Sequence, residues 1–110
     1  MIPEDFVEYS KRFNVGFLTL LHGDNPHIRI VNFKVSKDTI TVDDGDLPEG
    51  EVALVFANEL YSERSEMAQV VGNLRKDHDQ YELTPDKIFW TLSFDINVYP
   101  DEIIKRWVRR

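Results

Sequence analysis

The sequence predicts a mainly β fold: six antiparallel strands in hairpin order, closing or nearly closing into a barrel, with a short helix at each end. Three observations carry that expectation. Apolar residues recur with a period of two, or fill short runs bounded by turn residues, through most of the chain. The segments 23–26 and 36–38 are turn sequences that fold the chain back on itself. Helical stripes appear only near the two ends. At 110 residues the chain has the length of one domain, 1–110.

Taken in order, residues 1–13 read as a short helix. Pro3 suits a first helical position, Glu4 and Asp5 lie where the helix dipole favours acids, and Phe6, Tyr9 and Phe13 share a face. Residues 16–21 form the first strand, and Gly23-Asp24-Asn25-Pro26 turns the chain into the second, residues 27–35. A third strand covers 39–42, with Ile40 and Val42 inward. Residues 52–57 are apolar on both faces, as a central strand requires. Residues 60–66 read as a polar loop. Residues 67–75 resume as a strand in which Gly72 marks a bulge or a close approach. Thr84-Pro85-Asp86-Lys87 predicts one helical turn, an N-cap followed by proline. Residues 90–99 alternate as one long strand, and residues 101–110 form a final helix with an apolar stripe and a basic end.

Composition narrows the chemistry. There are no cysteines, which excludes disulfides, thiol nucleophiles and zinc–thiolate or iron–sulfur sites. The net charge of −7 opposes nucleic acid as a partner. The longest apolar run, residues 52–57, is far short of a membrane span, and the first residues lack the pattern of a secretory signal. A soluble cytoplasmic protein is the expectation by elimination. No Gly-x-Ser-x-Gly elbow, Gly-x-Gly-x-x-Gly or Walker motif occurs. His22 and His27 flank a turn with Asp24 between them, but two histidines at a strand–turn junction are ordinary polar residues, and no metal is expected. Asp77-His78-Asp79 reads as a polar turn between strands.

A longer succession carries a family resemblance. It consists of a Gly-Phe-Leu-Thr strand, a Gly-Asp-Asn-Pro turn, then Pro26-His27-Ile28-Arg29-Ile30-Val31-Asn32-Phe33-Lys34. Val52-Ala53-Leu54-Val55-Phe56, Val71-Gly72 and residues 83–90 follow in the same order. No single piece is specific, but the succession, over roughly residues 13–108, resembles the pyridoxamine 5′-phosphate oxidase-like split β-barrels. The resemblance implies a six-stranded antiparallel split barrel with short N- and C-terminal helices, a homodimer, and FMN in a groove between the two barrels. It further implies that Arg29 holds the flavin phosphate, that the backbone of Ile30, Val31 and Asn32 faces the isoalloxazine ring, and that Lys34 lies towards the flavin or substrate. A forked guanidinium suits phosphate, and backbone polar groups suit the flavin edge. The implied activity is that of a flavin-dependent oxidoreductase acting on an unknown small molecule, with no catalytic acid or base singled out.

Two features of the sequence bear on that expectation. Arg29 and Lys34 have opposite parity, and apolar residues change phase between Ile28, Ile30 and Val31, Phe33, Val35. A bulge near Ile30 and Val31 would bring both cations to one side. Second, the segment where such proteins carry a phosphate-cradling helix is here residues 43–51, which is short, holds five acids and has no base. Three outcomes stay open: phosphate held by Arg29 and Lys34, alone or with help from the partner chain's basic tail, flavin held weakly through its ring, or a non-enzymatic dimeric barrel that binds a small ligand or protein after losing the phosphate site.

Overall fold

The computed structural model describes residues 2–21, 28–43, 45–58, 66–92 and 95–100. Helix α1 (Glu4–Ser10) precedes strands β1 (Val15–Leu20), β2 (Ile28–Val35), β3 (Ile40–Asp43) and β4 (Gly50–Asn58). Strands β5 (Glu66–Asp77), β6 (Gln80–Leu92) and β7 (Asp95–Tyr99) complete the chain as described. Their order in the sheet is β3-β2-β1-β4-β5-β6-β7, and β3 also pairs with β6. Every pairing is antiparallel, and the β3–β6 seam, Ile40 to Leu83 through Val42 to Tyr81, closes six strands into a barrel with β7 appended outside. Closure leaves none of those six with a wholly unpaired edge.

Alternation places one face of each strand inside. Val31, Phe33 and Val35 of β2, Ile40 and Val42 of β3, and Val52, Leu54 and Phe56 of β4 are all buried. Strand β4 lies between β1 and β5, and its outward-phase Ala53 is buried as well. Helix α1 covers the barrel end where β2 and β4 finish. Its Phe6 is fully buried and meets Trp90 at 5.1 Å and Phe56 at 6.1 Å between ring centroids, while Phe13, just past the helix, sits 4.9 Å from Phe56. The Ile2 amide donates to the Lys37 carbonyl at 2.8 Å, tying the chain start to the β2–β3 turn. Pro3 serves as the N-cap (φ −57°, ψ 137°), one position earlier than the sequence predicts.

Three sequence expectations are corrected. Residues 84–87 are not a helical turn but part of β6, paired with β5. Proline is compatible with this strand because the ladder shifts there: Val71 opposes Lys87 and Gly72 opposes Pro85, which leaves Asp86 as the extra residue of a bulge. A Cβ on Gly72 would lie 2.1 Å from the Thr84 carbonyl oxygen, so only glycine permits this approach. Residues 90–99 form two strands, because Leu92 pairs with Asp95 and Trp90 with Asn97 across a two-residue connection. The period of two runs straight through so short a reversal, which hides it in the sequence. After the reversal Ile96 lies opposite Thr91 and is exposed rather than inward. Finally, Glu66 is the first residue of β5 and is buried, not part of the preceding loop. The expected turn at 23–26, with His22 and His27, and the helix at 101–110 lie outside the described residues.

Candidate functional site

Strand β2 supplies the residues singled out by the sequence. Its pairing with β1 runs without interruption from Ile28–Thr19 through Arg29–Leu18, Ile30–Phe17 and Val31–Gly16 to Asn32–Val15, and the β3 pairing continues it from Asn32 to Val35. The expected bulge at Ile30 and Val31 is therefore absent. The change of phase has another cause. Both faces of the strand are apolar, the odd positions because they enter the core and the even ones because Ile28 and Ile30 form part of an outer patch, each 67% exposed. Phe17, directly opposite Ile30, is 48% exposed, and Val15 beside Asn32 belongs to the same patch.

An unbroken strand sends Arg29 and Lys34 to opposite faces, about 16 Å apart along its length. Lys34 is exposed on the outside, opposite Thr41 of β3. Arg29 stands in the inward phase at the start of β2, opposite Leu18, where the barrel end remote from α1 opens. There it lines a cavity of about 460 Å³ with Leu18, Leu20, Asp46, Leu47, Pro48 and Val52. The two cations thus do not converge on one phosphate within a chain, and Asp46 adds a negative charge beside Arg29. Within one chain, then, Arg29 and Lys34 do not share a single anion, and Arg29 shares its cavity with an acid.

The β3–β4 loop gives this cavity its wall. Its acids suggest a wholly solvated turn, yet Leu47 is buried, and its amide donates to the Tyr81 hydroxyl at 2.9 Å. The Glu49 carboxylate accepts from the Lys76 amide at 2.8 Å, and the Leu21 amide donates to the Glu51 carbonyl at 3.0 Å. These bonds fold the acidic segment across the barrel mouth. The lone apolar pair Leu47-Pro48 among the acids was the one sequence signal that the loop turns inward.

At the opposite end lies a polar cluster that sequence spacing does not show. Arg12 forms an ion pair through Nη1 with Oε2 of Glu66, 54 residues away, and its guanidinium lies 5.6 Å from the Tyr9 ring centre. Burial, reinforced by the negative charge of Glu66, pushes the Tyr9 phenol up to about 12, against the opposing influence of Thr91, Arg12 and Met67. Thr91 also accepts from the Met67 amide at 3.1 Å, so this cluster knits α1, β5 and β6 together. Arg12 and Glu66 pair with each other while the Tyr9 hydroxyl is buried without a hydrogen-bond partner among the described residues, and the cluster reads as a structural clamp. Among the described residues no three histidines or acids gather as a metal site, and no helix is long and apolar enough to cross a membrane.

A closed six-stranded antiparallel barrel with a helix across one end and an added seventh strand is a split β-barrel. The comparison with solved structures agrees. A Listeria innocua protein described as a proposed pyridoxamine 5′-phosphate oxidase superposes with a TM-score of 0.59 at 19% identity, covering 77% of this chain and 94% of its own. That likeness establishes a shared fold. No family model matches the chain, and no curated protein does.

Proposed function

We propose that this chain is a homodimeric split barrel that works as a binding module for a small molecule or protein, having lost the flavin phosphate site. One observation carries the reading: the uninterrupted β1–β2 register, which points Arg29 into the barrel mouth and leaves Lys34 outside. The same register supports the dimer. Ile28, Ile30, Phe17 and Val15 make a contiguous apolar surface on β1 and β2, and a self-complementary pairing of two copies would remove it from water. The assembly implied by the family resemblance is of this kind.

A second reading, an FMN-dependent oxidoreductase with an unknown small-molecule substrate, is supported by the fold shared with the Listeria innocua protein. In that case cations from the partner chain complete the phosphate site at the seam. Titration separates the two. Purified protein is expected to be colourless, and FMN fluorescence is expected to stay unchanged as protein is added. A yellow preparation, or binding of FMN well above riboflavin that falls when Arg29 is replaced by Ala, establishes the second reading instead. For the dimer, sedimentation is expected to give twice the 12.9 kDa chain mass. Ile30→Lys is expected to yield a folded monomer; a wild-type monomer at micromolar concentration overturns the pairing.

A further inference from the structure

The cavity at the barrel mouth has features that define a ligand class. Its volume of about 460 Å³ lies within the roughly 300–1,000 Å³ usual for small-molecule sites. Leu18, Val52 and Leu47 give it a buried apolar floor, and Leu20 and Pro48 extend the apolar lining. Among the described residues one cation, Arg29, and one anion, Asp46, stand on the same lining. The wall is held in place by the Leu47–Tyr81 and Lys76–Glu49 hydrogen bonds, so little ordering remains to be done on binding.

We propose that this cavity binds a free α-amino acid with an apolar side chain, its carboxylate against Arg29, its ammonium against Asp46 and its side chain on the Leu18–Val52–Leu47 floor. The proposal deepens the reading of the chain as a binding module by naming the ligand. Charge selects the class. An apolar anion meets Arg29 but also the repulsion of Asp46, and an apolar cation meets the reverse pair. A zwitterion with both charges at one end and a hydrocarbon at the other satisfies the two rim groups and the floor together. A guanidinium carries five donors in a fork, so a carboxylate adds to the contacts Arg29 keeps within the protein. Flavin mononucleotide, with its phosphate dianion, is disfavoured by the same acid that welcomes an ammonium.

The test is a titration of the full chain with L-leucine, followed by amide chemical shifts. Saturable shifts are expected at Leu18, Leu47 and Val52. The acid lacking the ammonium (4-methylpentanoate) and the amine lacking the carboxylate (isopentylamine) are each expected to bind about tenfold more weakly or worse. Asp46→Asn is expected to weaken leucine about tenfold while leaving 4-methylpentanoate unchanged or tighter, and Arg29→Gln to weaken leucine and 4-methylpentanoate but not isopentylamine. Both sites are exposed at the rim, so both variants are expected to keep the parent spectrum. The proposal is overturned if leucine gives no saturable shift up to about 10 mM, or if both single-charge analogues bind as well as leucine. Leucine binding by a monomer would sink the pairing and spare this site, and a dimer blind to leucine would do the reverse.

Discussion

At the α1 end of the barrel, Phe6, Phe56, Phe13 and Trp90 fill the opening with rings, and the Arg12–Glu66 pair ties the segment just past the helix to β5. At the other end the same strands stop short of filling it. A loop of acids folds over, one leucine reaches the core, and a cavity remains that, among the described residues, carries one charge of each sign. The contrast shows how a small barrel divides its labour: tight packing at one end supports the fold, which leaves the other end free to carry a cavity for recognition.

The largest effect that sharpens this contrast is expected from paired truncations. Phe6→Ala, which empties a fully enclosed ring site, is expected to lower unfolding free energy by about 3–5 kcal/mol, and Leu47→Ala, beside an existing cavity, by about 2 kcal/mol. Denaturant unfolding measures both, and equal losses would break the comparison. A smaller effect concerns pH. The Tyr9 phenol is held neutral with its pKa raised from 10.0 to about 12, so its contribution is intact below pH 10 and lost as pH rises through 12. Melting temperature is expected to fall over that window, and Tyr9→Phe to flatten the fall; an unchanged slope would show that the closed end does not shield this hydroxyl. Smallest of all, Arg29→Ala at the open end is expected to change stability by less than about 1 kcal/mol, because its side chain is exposed at the rim. A loss as large as that of Phe6→Ala would make Arg29 a structural residue and remove the division between the ends.

Much of the barrel was legible because alternation and turn chemistry are local. Val31, Phe33 and Val35, the reversal at Ser36-Lys37-Asp38 and the close approach at Gly72 all follow from nearest neighbours in sequence. What misled was the assumption that each strand has one apolar face. Ile28 and Ile30 are apolar because the outside of β2 is apolar, so their phase called for no bulge. The bulge that does exist sits at Asp86, where proline imitated a helix start, and its cause is the partner strand's glycine. The Arg12–Glu66 pair joins residues far apart in the chain with no local pattern to announce it, and the inward turn of Leu47 onto Tyr81 is marked only by the apolar Leu47-Pro48 pair among the acids.

The seam between Ile40 and Leu83 also governs how the molecule comes into being. A chain emerging from the ribosome makes its third strand early and its matching sixth strand late, so the ring stays open through most of synthesis. During that interval the backbone of residues 40–42 is a bare edge, short and flanked by Asp38 and Asp43, and those flanking negative charges discourage a neighbouring nascent chain from taking the place reserved for Leu83.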